Sequence, residues 1–485
     1  RDADNLRARD LLTVALRRLG RTDEATRALA ETLRLDPLDA WGRLLAGDPP
    51  RDAQLALDLA LDLARAGLHR EALELLERGD LEGSLGARPL VHYYAAHLAD
   101  RLGEGARAAR HREAAARASP DYCFPARLEE IAILEAAIRS SRGDARAPYY
   151  LGNLLYDRGR REEAIALFER AAELDPSYPV VWRNLGIAYF NVRRDPPRAL
   201  AAYARAVAEG PLDARLVYER DQLWKRTGAA PRERLAELER RLDRVAERDD
   251  LTVEFAALLL LAGRAEEALR RLLDRRFQPW EGGEGLVLLQ HTRARLALGR
   301  AALARGEAVL AHAHFEAALA PPETLGEARH PLGNASDVHY ALGLACECAR
   351  DPEGARVHFT RASEPQGDFV AMSVQAFSEM TYFSALALGR LGRDAEERAL
   401  LEALERHATR LLGERAEIDY FATSLPAMLL FEDDLDRRQR VSALVMLAQA
   451  SLGLGRPDRA RAHLEEALAL DPSHALASDL LSSAR

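Results

Sequence analysis

Internal repetition limits this chain more than any other feature. The stretch APYYLGNLLYDRGRREEAIALFERAAELDP (147–176) aligns with PVVWRNLGIAYFNVRRDPPRALAAYARAVAEGP (179–211), and one skeleton appears twice. The second copy carries Trp182, Leu185, Gly186 and Tyr189 in a W-x2-L-G-x2-Y order. An Ala, an aromatic, a second Ala and a Pro follow. A turn signal of the form G-x-x-x-E-A, in various degrees of decay, recurs as GRTDEA (20–25), GLHREA (67–72), GRREEA (159–164), GRAEEA (263–268), GEAVLA (306–311) and GRPDRA (455–460). Further units are legible at 89–120, 213–244, 336–362, 378–404 and 441–472.

These marks resemble the tetratricopeptide repeat, a helix-turn-helix of about 34 residues. Each has a mechanical reason. Gly186 lets the second helix of its pair lie close on the first, and Ala164 and Ala171 occupy a crossing where a larger side chain would hold helices apart. Pro176 and Pro211 end second helices, because proline has no N–H to donate and disfavours helix in the residue before it. A single pair cannot bury its apolar face alone, so neighbours stack into one continuous core. The fold class expected is all-α, an α-solenoid superhelix of about eleven such units, without a β-sheet. Four segments are expected: N-terminal units (1–122), central units with the best consensus (123–275), units separated by long loops (276–440), and a last unit with a capping helix (441–485).

Composition removes several functional classes. Hydrophobic residues make up 48% of the chain and charged residues 30%, which is enough apolar content to fold and argues against disorder. The net charge of −9 is spread along the sequence, and so gives no electrostatic footprint for nucleic acid. Lys225 is the only lysine, and most arginines flank helical acids, as solvated helix faces do. Cys123, Cys346 and Cys348 form no CxxC, so neither a disulfide framework nor a metal site is expected, and a reducing cytoplasm suits them. The longest apolar run, from Phe255, is about half a membrane span. Because the chain opens on Arg1 in helical pattern without Met, it reads as part of a longer protein.

In the family that the repeat resembles, the first helix of each unit lines a concave groove. Carried onto the best pair of units, that rule exposes Tyr149, Asn153, Tyr156 and Asp157, then Arg183, Asn184, Phe190 and Asn191. Amides beside aromatics suit an extended peptide or a sugar. A clamp for a peptide carboxylate, known in the family, is not expected, because Tyr149, Ala214 and Tyr218 stand at its basic positions. Farther along, Cys348 falls on the groove side and Cys346 on the packing side, as residues two apart on a helix must.

Four stretches break the repeat: 276–291, 320–336, 364–383 and 414–435. Loops between repeats tend to mark a binding face. The first, RFQPWEGGEG, stops a helix at Pro279, turns on glycines and carries Trp280, Glu281 and Glu284 toward the groove mouth. An aromatic beside carboxylates is a common way to hold a sugar or a cation. If the breaks gather, Trp280, Glu281, Glu284, His330, Asp337, Tyr340, Glu379 and Tyr382 form one ligand-binding region; the competing reading makes Trp280 a plug for an irregular unit.

No catalytic residue, cofactor or metal set is assigned. GGEG lacks dinucleotide spacing, Glu327, His330 and the HAH at 312–314 complete no HExxH-like site, and the histidines read as surface or packing residues. Carboxylates in the breaks could act as acid and base on a glycoside, but sequence does not measure their separation. The leading expectation is a non-enzymatic scaffold binding a protein or peptide along its groove. The alternative is a carbohydrate-related module. It rests on the likeness of 124–200, PWEGGEG and DYFATSLPAMLLFEDDL to bacterial repeat proteins that follow a domain resembling a sugar-mutarotase β-sandwich, and in that reading the chain binds sugar or completes an upstream site.

Overall fold

The structure is a computed structural model and describes residues 4–78, 81, 86–209, 213–280, 282–364, 367–370, 373–416 and 430–483. Contacts divide the chain into two compact bodies, Arg1–Gly210 and Pro211–Arg485. That boundary falls inside the 123–275 segment named above.

Among the described residues the N-terminal body contains five helix pairs: Leu6–Arg18 with Thr22–Leu35, Ala53–Arg65 with His69–Leu76, Arg88–Arg101 with Gly105–Arg117, Arg146–Asp157 with Arg161–Leu174, and Pro179–Asn191 with Pro196–Glu209. The C-terminal body contains six: Ala214–Arg226 with Pro231–Glu239, Asp249–Leu261 with Ala265–Leu273, Leu286–Ala304 with Ala308–Leu319, Ser336–Cys348 with Pro352–Ser363, Thr381–Arg390 with Asp394–Gly413, and Leu435–Gly453 with Pro457–Leu470, followed by Ala475–Ser483. Each body is an all-α solenoid in which a pair packs on the next.

Two small-residue devices make the pairs close. A Cβ at Gly152, Gly186, Gly299 or Gly343 would lie 2.6, 2.4, 2.2 or 2.4 Å from the ring of Phe168, Tyr203, Phe315 or Phe359 respectively. Each of these glycines lies on a first helix and each ring on its paired second helix, so the ring occupies the space a side chain would need. On the second helices, alanines seven apart repeat the pattern: Ala164 and Ala171, Ala199 and Ala206, Ala311 and Ala318, Ala355 and Ala362, Ala460 and Ala467 are all buried. Seven residues is nearly two turns, so both alanines face the crossing.

The turn signal also has a local cause. Gly159 and Gly263 take φ of 78° and 74°, where a Cβ is disfavoured. The arginine that follows each forks onto the glutamate three residues on, with Arg160 to Glu163 at 2.6 Å and Arg264 to Glu267 at 2.5 Å. These pairs are exposed and individually weak, but they seat an acid in the first turn, against the helix dipole.

One expectation fails here. The third break contains an antiparallel hairpin, Asp368–Val370 on Ser373–Gln375, where no sheet was expected. Its DFV and SVQ triplets are rich in aromatic and β-branched residues, which favour extended backbone. Most of the fourth break, 417–429, lies outside the described residues.

Candidate functional site

Successive breaks touch in the C-terminal body. Phe277 N–H donates to Thr324 O at 2.8 Å, and Gly285 N–H donates to a Glu327 carboxylate oxygen at 2.7 Å, so the second break lies on the first. Asn334 N–H donates to Asp368 at 3.1 Å, so the third lies on the second, and the Ser384 hydroxyl, just past the third break, bonds to that of Ser336 at 2.9 Å.

The residues expected to share one pocket pack on several apolar clusters, although the Phe383 ring, 6.3 Å from Tyr340 and 5.5 Å from Tyr382, brings those two together. Trp280 packs on the cluster of Phe277, Val287 and Leu325, and a Cβ at Gly283 would meet its indole at 2.0 Å. Glu281 lies outside the described residues. Glu284 is exposed, and His330, also exposed, accepts from Leu332 N–H through Nδ1. Tyr340 joins the cluster of Cys346, Phe359 and Ala387, its ring 5.7 Å from Phe359 and 6.3 Å from Phe383. Tyr382 packs with Leu404, Ala408 and Met446, and burial pushes its hydroxyl up to about 12. Asp337 accepts from Val338 N–H, and burial raises its carboxyl even though Arg329 and Arg300 pull it down. Each of these aromatics packs on a cluster shared by neighbouring helix pairs, and Trp280, half-buried, lies against one that unites the first two breaks.

Glu379 marks a feature that local sequence spacing conceals. Its carboxylate lies 3.3 Å from His474 Nε2, and its carbonyl accepts from Gln449. Burial pulls the His474 imidazole down, but the hydrogen bond and charge of Glu379 raise it overall. Beside it, Arg234 Nη1 donates to Ser473 at 3.0 Å, Arg300 reaches Asp479 at 3.3 Å, and Arg437 donates to Arg226 O at 3.2 Å. The last repeat thus reaches back to helices about 180 to 240 residues earlier. Arg234 is fully buried and forks onto Asp221 at 3.0 and 2.6 Å, with Glu254 at 2.6 Å and Lys225 beyond it. Burial works against a charge on Glu254, but Lys225 and Arg234 outweigh it and hold the carboxyl well below the usual range.

In the N-terminal body, Asn184 Nδ2 donates to Asn153 Oδ1 at 2.8 Å and joins two consecutive first helices. Arg183 Nη1 lies 3.4 Å from Asn184 Oδ1, and Tyr156, Arg183 and both asparagines are half-buried. Tyr149 departs from the expectation: it is 6% exposed, covered by the Tyr178 ring at 4.9 Å, with the Arg146 guanidinium 3.6 Å from the centre of Tyr178. It is packed beneath Tyr178 and offers almost no surface to a ligand. A surface depression of about 630 Å³ on this body is lined by Arg139, Arg142, Arg170 and Glu173 with Ile138 and Leu174.

Sequence reasoning missed one further group. His312, Cys346 and His358 come from three successive helices, and their ligand-type atoms lie within 4.8 Å of one another. No local motif spacing signals it. The only hint is a recurrent histidine pair nineteen residues apart, 92 with 111 and 339 with 358, facing across a helix pair.

Helix pairs with these crossings define an α-solenoid of stacked helical hairpins, and two of its stretches match models of the tetratricopeptide repeat. A TPR repeat family model matches residues 152–192, and a tetratricopeptide repeat model matches 441–474. Among solved structures, YrrB, described as a TPR protein with an unusual peptide-binding site, is 20% identical over 45% of this chain and 97% of its own, with a TM-score of 0.30. A human IFIT1 dimer with PPP-AAAA is 14% identical over 97% of this chain and 95% of that one, at TM-score 0.26. A tetratricopeptide repeat protein from Parabacteroides merdae is 14% identical over 61% and 99%, also at 0.26. No helix among the described residues is long and apolar enough to cross a membrane.

Proposed function

We propose that this chain is an interaction scaffold that binds an extended segment of a protein partner along the first helices of its N-terminal body. The observation that carries this reading is the Asn153–Asn184 amide pair, which bridges consecutive first helices and is flanked by half-buried Tyr156 and Arg183. A primary amide has two donors and an acceptor with two lone pairs, so one mutual bond leaves capacity for a peptide backbone. In the C-terminal body, by contrast, the chain's own 471–479 segment engages Arg234, Arg300 and Glu379.

The test is selection from a library of extended peptides, followed by affinity measurement on Asn153→Ala and Asn184→Ala. Each loss should weaken the selected peptides by about tenfold, the worth of one net hydrogen bond. Peptides that bind both variants as tightly as the parent would sink the reading. The carbohydrate alternative is tested on a glycan array probed with the chain and with Trp280→Ala: a Trp280-dependent signal would favour it, and we expect none, because Trp280 packs on the cluster of Phe277 and Leu325.

A further inference from the structure

The seam between two repeats of the C-terminal body brings together three side chains with the chemistry of a metal site. His312 comes from Ala308–Leu319, Cys346 from Ser336–Cys348 and His358 from Pro352–Ser363. We propose that these three side chains bind a divalent cation of borderline softness, Zn²⁺ foremost, and that the ion clasps the second helix of one repeat to both helices of the next.

The donor set fits. Zn²⁺ takes thiolate sulfur at about 2.3 Å and imidazole nitrogen at about 2.0–2.1 Å, so neighbouring donors of a tetrahedral site stand roughly 3.3–3.6 Å apart. The present spacing, within 4.8 Å, closes to that by small side-chain rotations. Both histidines have outer partners on Nδ1: His312 Nδ1 lies 3.5 Å from Glu316 Oε2, and His358 Nδ1 lies 3.3 Å from His339 Nδ1. Such partners hold the ring and its tautomer, and leave Nε2 of each histidine to the metal. Around the sulfur, room is kept by Gly354, where a Cβ would stand 3.1 Å from Cys346 Sγ. Cys346 is 5% exposed and the His312 side chain 33%, so the site has a covered sulfur and a path from solvent. Three protein ligands leave a fourth position for water.

The three donors come from three helices and meet at one point. Here the focus sits at a joint, and the consequence is mechanical: a bound ion would fix the angle between adjacent repeats.

Co²⁺, which takes the same tetrahedral donor set and is coloured, provides the test on the reduced, metal-free full chain. A single equivalent should produce a thiolate-to-cobalt charge-transfer band with intense tetrahedral d–d bands, and Zn²⁺ should displace it. Cys346→Ser should abolish the charge-transfer band, while Cys348→Ser, at an exposed position, should leave it unchanged. Glu316→Gln should weaken binding by about 10–100-fold, the range for loss of an outer partner. His312→Ala should weaken it by more than about 100-fold, beyond that range. His312 is only partly covered, so this variant decides the matter even if Cys346→Ser fails to fold; circular dichroism verifies that it remains helical. Absence of the thiolate band at one equivalent, its survival in Cys346→Ser, or unaltered affinity in His312→Ala would each overturn the proposal.

Discussion

Gly186 and Tyr203 show how much one position can carry. A Cβ at residue 186 would stand 2.4 Å from the tyrosine ring and 3.3 Å from Ala199 O, and Tyr203 is itself fully buried. The ring cannot swing out without exposing itself, so Gly186→Leu forces the two helices apart. Overpacking of this kind costs roughly 3 kcal/mol, and thermal denaturation should show a matching fall in midpoint. Pairing it with Tyr203→Leu should recover part of the loss, because the smaller partner returns the space. An unaltered midpoint in the single variant would contradict the crossing geometry. This residue was legible in sequence because a repeat displays its constraint several times; Gly152, Gly299 and Gly343 each meet a ring sixteen residues on, and Gly186 meets one seventeen residues on. Tyr149 was misread by the same rule, since the rule fixes a position on a helix and does not register Tyr178 folded over it.

At the scale of elements, the helix pairs were legible and the breaks only half so. Periodicity of small and apolar residues fixes a pair, whereas a break is shaped by what it lands on. The first break illustrates this: Phe277 and Leu325, from two different breaks, are both buried in one cluster with Val287, and Trp280 covers its edge. Glycine at 283 allows the indole to lie flat on the backbone, with a would-be Cβ 2.2 Å from its nitrogen. Trp280→Ala should therefore cost stability. Its ring is partly exposed, so the loss is about 2 kcal/mol, below that of a fully buried aromatic. Chemical denaturation with an unchanged m-value would register it as a shift in midpoint. A variant with parental stability would restore Trp280 as a residue held out for a ligand. The hairpin in the third break was not foreseen because two three-residue strands are too short to show an alternating pattern.

For the molecule as a whole, the question is whether the C-terminal body behaves as a chain of neighbours or as a closed unit. In an open array each repeat touches only the next, and disturbance stays local. Here the segment around Ala475–Ser483 has two kinds of contact. Ala477 lies buried in the cluster of Leu464 and Ala467, with Leu476 and Leu480 packed beside it, as in an ordinary stack. Ser473 and Asp479 instead reach Arg234 and Arg300, in repeats far back along the chain. No local period encodes those two bonds, which is why the repeat pattern could not announce them. The Arg300–Asp479 pair is half exposed and contributes little, but loss of the Ser473 hydroxyl would leave one donor of the buried Arg234 guanidinium without its acceptor. That costs about 1–2 kcal/mol. The double variant Ser473→Ala with Asp479→Asn retains Leu476, Ala477 and Leu480 and so leaves the local stack intact. Hydrogen exchange should then accelerate by about tenfold, the equivalent of ~1.4 kcal/mol, in Pro231–Glu239 and Leu286–Ala304, while Pro457–Leu470 keeps its protection. Acceleration confined to 457–483 would mean that disturbance passes only between neighbours, and that the long-range bonds add nothing to the body's cohesion.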